Sequence, residues 1–277
     1  RRAQMKEKWR GGGRSRLEYV CGVRKMLGLW WLSGPPAFPV SVYPVCLPFR
    51  PGILPEKGEG RAMDWEWMAV QRLGAALVGV LLGSLLPAEA VARWRTGRGT
   101  RTLGLRPGAY DTARRFGAAA GALVLLGDAG KTAAACAVAR AALPELGGLA
   151  VIWAGLGAVA GHCYSFWHRG RGGPGTAVLA GWVVLSLPFT GVLAVVGGAA
   201  LTLATGYLPL GAVAAPVFAA PIALLQYGAH GPEAGLCLLA GAVLASARQR
   251  PALRSVLHGA EPPFYESWDD PDDTGEP

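Results

Sequence analysis

The chain is short of charge. Asp, Glu, Lys and Arg make up 16% of its 277 residues, where a typical soluble domain carries about 25%. So little charge argues against a soluble enzyme and against a disordered basic protein. Paired cysteines are also missing. The five Cys residues are scattered without close pairs, which excludes a disulfide framework or a zinc knuckle as the organising principle. What the chain has instead is 52% hydrophobic residues and 41 glycines, a composition suited to close helix packing in a bilayer. The expected class is an all-α, polytopic membrane protein.

Residues 1–62 differ from the rest. They hold 12 Lys/Arg against 4 Asp/Glu, which is most of the net charge of +9, and prolines at 35, 36, 39, 44, 48, 51 and 55. A spanning helix needs about 20 apolar residues with internally satisfied backbone, and this proline density removes the donors. No uninterrupted apolar core ends in a small-residue cleavage site, so a signal peptide fits poorly. The reading is an unstructured basic leader or upstream sequence, with Met63 as the start. The body then runs over 63–260, followed by an acidic tail over 261–277, which reads as a solvated, disordered end.

From Met63 the apolar windows fall at about 68–90, 117–142, 147–165, 175–188, 189–205, 209–227 and 232–247. Seven spans are expected, or six if the pair around Pro188 is one kinked segment. Arg93, Arg95, Arg98, Arg101, Arg106, Arg114 and Arg115 lie between the first two spans, Arg169 and Arg171 follow the third, and Arg248, Arg250 and Arg254 follow the last. The alternate connections carry neither Lys nor Arg. Short cytoplasmic loops collect these residues, so the N-terminus is expected outside and the C-terminus inside. Arg140, at the outer end of the second span, fits this pattern poorly. The basic residues therefore mark a membrane face, and no nucleic-acid partner is expected.

Asp128 and Lys131 sit inside the second span, three residues apart and on one helix face, where each lowers the cost of burying the other. Mutual neutralisation at a helix contact and a functional site are both open. The string Gly127–Thr132 looks like a phosphate loop but lacks the glycine required at Leu125, and it lies in an apolar helix. His162 closes the third span, as an interfacial cap or a catalyst, before the aromatic belt Tyr164, Phe166 and Trp167. No metal or cofactor is expected. The loop from Arg169 to Gly175 combines arginines, glycines and a helix N-terminus, which suits either a phosphate cradle or contact with anionic lipid heads.

The order of these features resembles the bacterial acyl-phosphate-dependent glycerol-3-phosphate acyltransferases, over about residues 75–261. Gly83-Ser84-Leu-Leu-Pro87 is similar to the Gly-Ser-Ile-Pro that ends the family's first span. Gly108, Ala109, Arg114 and Gly117 are spaced as in its first cytosolic motif. Asp128 and Lys131, Gly161-His162, Gly172-Gly173-Pro174-Gly175, Tyr207 with Leu210 and Gly211, and Gly259 with Glu261 follow in order. The resemblance implies seven spans, an outside N-terminus, and acyl transfer from acyl phosphate to the sn-1 hydroxyl of glycerol 3-phosphate. It implies catalytic roles for Arg114, His162 and Ser84. Substrate-phosphate contacts are implied for Arg106, Gly108, Arg169, Arg171, Gly172, Gly173 and Gly175. The sequence departs from the motifs at Gly104, Arg106, Pro174, Gly206, Pro209, Gln249 and Ala252. A catalytically silent member that binds anionic lipid, or regulates an active paralogue, is the alternative.

Overall fold

The structure, a computed structural model, describes residues 60–260 and 263–265, with side chains from Trp65 onward. The expected leader therefore lies outside the described residues except for Gly60–Ala62, and so does the acidic tail except for Pro263–Tyr265. The described residues are helical throughout, with no strand among them. In chain order the helices are α1 (Gly60–Gly83), α2 (Pro87–Thr96), α3 (Ala109–Phe116), α4 (Ala118–Ala142), α5 (Gly148–Cys163), α6 (Thr176–Ser186), α7 (Pro188–Thr205), α8 (Leu208–Gln226), α9 (Gly231–Arg248) and α10 (Arg250–Leu257).

Proline and glycine set the boundaries. Pro87 and Pro188 open α2 and α7, where the missing N–H costs nothing. Gly97 and Gly206 follow α2 and α7 at φ 71° and 80°, a left-handed conformation that glycine adopts freely. The first apolar window was expected to run to residue 90. The helix instead stops at Gly83, and Pro87 starts a new one after a short break. Around Pro188 the chain forms two helices separated at Leu187. A methyl at Gly191 would overlap the Val183 carbonyl, so α7 folds tightly against the end of α6.

Among the described residues, four stretches are long and apolar enough to cross a membrane: Trp65–Thr96, which the break divides into α1 and α2, Ala118–Ala142, Pro188–Thr205 and Leu208–Gln226. The apolar helices α5 and α6 are shorter. Large apolar side chains face outward on these helices, among them Leu77, Leu126, Leu193, Leu203 and Leu225. An exposed apolar surface of this kind marks lipid contact.

Small residues bring the helices together. On α1, Gly79 and Gly83 lie against the Ala154 and Ala158 backbone of α5; reciprocally, Gly157 and Gly161 lie against Ala76 and Val80 of α1. Side-chain methyls at any of these four positions would overlap backbone atoms, so the two helices meet as a paired four-residue repeat of small residues. Elsewhere Trp182 of α6 is fully buried between Gly155 of α5 and Gly241 of α9. At the end of the bundle near the start of α9, Glu233 accepts from Arg72 Nε and Nη2 at 2.5 and 2.9 Å and from Trp153 Nε1 at 2.7 Å, tying α1, α5 and α9.

The glycine contacts give a paired test. Gly155→Ala forces a methyl into the Trp182 indole and is expected to destabilise the protein by about 1–3 kcal/mol. Gly130→Ala, where no atom lies within 4 Å, is expected to be neutral or stabilising. Thermal unfolding of both variants in one detergent decides; equal midpoints would refute this packing account.

Candidate active site

The site is built on a buried ammonium. Lys131 on α4 donates to the Leu85 carbonyl at 2.6 Å and to His162 Nδ1 at 2.7 Å. It also lies 2.8 Å from Asp128 Oδ1, an ion pair set off the direction of a regular hydrogen bond. Leu85 sits in the break after α1, where the carbonyl has no helical partner. One side chain thus ties the end of α1, α4 and α5. An ammonium can only donate, so with Lys131 charged Nδ1 is the acceptor and a neutral His162 carries its proton on Nε2; Asp128 Oδ1 lies 3.4 Å from the same nitrogen. Asp128, Lys131 and His162 are all buried.

His162 in turn seats the glycine loop. Gly173 N–H donates to the His162 carbonyl at 3.0 Å. A methyl on Gly172 would strike that carbonyl, and one on Gly173 would strike the His162 ring. These glycines are therefore required by close approach to the end of α5. Gly175, at φ 82°, precedes α6 and lies against Cys163. Arg248 Nη2 and Nε donate to the Gly172 carbonyl at 2.7 and 3.2 Å, and Gln249 Nε2 donates to the Pro174 carbonyl at 2.8 Å. Ser84 pins the start of the same loop. Its hydroxyl donates to the Val80 carbonyl and accepts from Phe166 N–H, while its carbonyl accepts from Ser165 Oγ at 2.6 Å.

Two cavities open beside this frame. The smaller, about 970 Å³, is lined by Arg93, Arg101, Arg106, Arg169, Arg171 and Arg248, with Gly172, Gly173 and Gln249. Glu89 forms part of its wall and orders it, accepting from Arg93 Nε and from the N–H and hydroxyl of Thr100. The larger, about 1430 Å³, has a polar end at Arg106, Gly108, Tyr110, Asp111 and Arg114, and an apolar interior that includes Leu125, Ala180, Val195 and Ala215. Val195 lies ten residues before the end of α7 at Thr205, so at 1.5 Å per residue the apolar part reaches about 15 Å along that helix. The cavities share Gly104, Leu105, Arg106, Pro174, Gln249 and Ala252. Burial pushes the Asp111 carboxyl above the usual carboxylate range, against the pull of Arg106 and Arg114.

The residues picked from the sequence fall into two groups. Arg106, Gly108, Arg114, Arg169, Arg171, Gly172 and Gly173 line one or both cavities. Ser84, His162, Gly175, Asp128 and Lys131 line neither. Sequence reasoning missed Glu89, whose only local signal was its place four residues before Arg93, and Gln249, recorded there only as a departure. It counted Arg248 as a loop charge, without the Gly172 carbonyl it holds.

A helical bundle with membrane-crossing helices, and an arginine-lined cavity that shares a wall with a largely apolar one, defines the class as an integral-membrane protein. A sequence model of the family "Glycerol-3-phosphate acyltransferase" matches residues 73–259, and the chain belongs to that family, a group of membrane acyltransferases of phospholipid synthesis. A glycerol-3-phosphate acyltransferase of Pseudomonas paraeruginosa is 34% identical over 190 residues, covering 68% of this chain and 97% of the relative. One of a Synechococcus species is 36% identical over 210 residues, covering 73% and 97%. The fold is similar to that of PlsY (YgiH), described as an integral membrane glycerol 3-phosphate acyltransferase, in its glycerol 3-phosphate form. The TM-score is 0.59 at 23% identity, covering 72% of this chain and 99% of that one.

Two predictions test this geometry. Lys131→Met strands a buried carboxylate and is expected to cost about 3 kcal/mol or more. The double variant Asp128→Leu/Lys131→Met is expected to cost less than the sum of the two singles, because it removes both charges together. Additive losses in unfolding measurements would show the two groups are uncoupled. At the larger cavity, lowering the pH through the raised range of Asp111 removes a negative charge beside Arg106 and Arg114. Inorganic sulfate, which does not titrate there, is expected to bind about fivefold more tightly, the worth of one charge at ~1 kcal/mol. Asp111→Asn is expected to bind tightly across that range, and a flat wild-type profile would refute the assignment.

Proposed function

We propose that this chain transfers an acyl group from an acyl phosphate to the sn-1 hydroxyl of glycerol 3-phosphate, giving lysophosphatidic acid at the cytosolic face of a bacterial inner membrane. The observation that carries the reading is the junction at Arg106, where the arginine-lined cavity meets the apolar one. One substrate is a small phosphate ester. The other joins a phosphate to a long acyl chain, so its carbonyl belongs where a cationic wall gives way to an apolar one. Arg93, Arg101, Arg169 and Arg171 supply the charge for the glycerol 3-phosphate headgroup. Arg106 and Arg114 face the acyl phosphate. The hydroxyl oxygen attacks the acyl carbonyl, the bond to the phosphate oxygen breaks, and the hydroxyl proton leaves with the departing group as hydrogen phosphate. Fixed guanidinium charge aimed at the developing oxyanion and leaving phosphate is the main catalytic contribution of the protein.

In the same reading α1 and α4–α9 are the seven spans, with the N-terminus outside and the C-terminus inside. Support comes from the basic connections. Arg93, Arg101 and Arg106, then Arg169 and Arg171, then Arg248 lie far apart in sequence and yet line one cavity, as basic loops on a single membrane face would. The relative lack of motif side chains at Pro174 and Gln249 is met by Arg171 and Arg248 beside them, since a guanidinium replaces an ammonium as a phosphate partner, though with different geometry.

Full-length protein in nanodiscs, supplied with acyl phosphate and glycerol 3-phosphate, is expected to form lysophosphatidic acid. Arg106→Ala is expected to lower kcat/KM by about 10²-fold or more. Absence of turnover where the Pseudomonas relative is active would favour a silent lipid-binding member, and a wild-type rate in Arg106→Ala would remove the junction from the mechanism.

A further inference from the structure

The family match ends at residue 259, but the chain beyond it returns to the site. Phe264 lines the larger cavity. Its N–H donates to the Gly206 carbonyl at 2.8 Å, and its carbonyl accepts from the Tyr110 hydroxyl at 2.9 Å. The segment is thus bridged between α3 and the turn joining α7 to α8. Gly206 accommodates it in two ways. It takes a positive φ, and a side-chain methyl there would come within 2.7 Å of Pro263 Cβ and 3.3 Å of Tyr265 Cε1. Pro263 and Phe264 are half-buried, while Tyr265 is about half exposed at 52%.

Tyr110 and Gly206 belong to the polar end of the cavity, the end away from Val195. Phe264 therefore adds an aromatic wall at the place where an anionic head would meet the first carbons of its chain. A benzyl side chain cannot bind phosphate, so its contribution is apolar area against that chain. The backbone bonds on either side hold it there without relying on the arginines.

We infer that Pro263–Tyr265 is a strap that completes the site for an anionic amphiphile, with Phe264 a specificity-determining residue for the chain next to the phosphate. Calling that chain acyl rests on the function proposed above; the binding of a phosphate-headed alkyl chain does not. The strap lies outside the residues matched by the family model.

Thiol protection tests the strap independently of turnover. Phe264→Cys and Tyr265→Cys are made in full-length protein with Cys21 and Cys46 replaced by Ser, since Cys136, Cys163 and Cys237 are buried. With dodecyl phosphate at about ten times its Kd, maleimide modification of Phe264→Cys is expected to slow about tenfold, as the free fraction falls by that factor. Tyr265→Cys is expected to change less than twofold, and inorganic phosphate is expected to protect neither. Equal effects on both cysteines, or none on either, would overturn the strap. Protection without acyl transfer by wild type would sink the proposed activity and leave the strap standing. Where transfer is observed, Phe264→Ala is expected to raise KM for acyl phosphate about fivefold with kcat nearly unchanged, and Phe264→Leu to recover most of the loss. An unchanged KM alongside absent protection would overturn the strap while leaving the activity in place.

Discussion

The ammonium of Lys131 is the contact on which the site depends. It is buried where three elements meet, and each of its partners is one that needs it. The Leu85 carbonyl has lost its helical donor, Asp128 is a buried carboxylate whose charge Lys131 offsets, and the His162 Nδ1 lies 2.7 Å from the ammonium. The consequences run outward by contact. His162 presents its carbonyl to Gly173, the loop that follows is clasped by Arg248 and Gln249, and those residues stand on the wall of the arginine-lined cavity. Buried charges outside both cavities thus connect by contact to the charges that line them.

Such an anchor requires helices that approach closely, and the composition provides this. In lipid there is little hydrophobic gain from apposing two apolar helices, so contact area and backbone proximity must supply the stability. The reciprocal glycine pairs of α1 and α5 do so directly beneath Ser84 and His162. The abundance of glycine is therefore connected to the chemistry at one remove. The end of α1 can hold the loop through the Ser84 hydroxyl only because Gly83 and Gly161 let α1 and α5 nearly touch.

How much of this is legible in the sequence depends on the range of the contact. The apolar windows gave the helices in order, since hydropathy is a local property. The pairing of Asp128 with Lys131 followed from a three-residue spacing on a helix. The stop of α1 before Pro87 was less visible, because the apolar run continues through Leu85 and Leu86 and only the chain's geometry shows where the helix ends. Arg248 holding Gly172, Ser84 receiving Phe166, and Phe264 reaching Tyr110 join residues separated by 76, 82 and 154 positions. No local pattern encodes such pairs. Motif resemblance marked Ser84 and His162 as important, but it could not separate a residue that lines the site from one that supports it.

That separation also changes how the substituted motif positions are understood. Pro174, one of the departures from the family motifs, lies on the wall shared by both cavities, and a methyl at Gly108 would come within 3.0 Å of its ring. A long charged side chain at 174 would have to leave this contact to reach an anion, whereas a proline fixes the loop and leaves the charge to neighbouring arginines. Gln249 likewise uses its amide to hold the Pro174 carbonyl. Pro174 and Gln249 therefore meet in one hydrogen bond on the wall that the two cavities share. Cationic character on the shared wall is then carried by Arg106, whose guanidinium charge is insensitive to pH, while the titratable Asp111 lines the larger cavity alone.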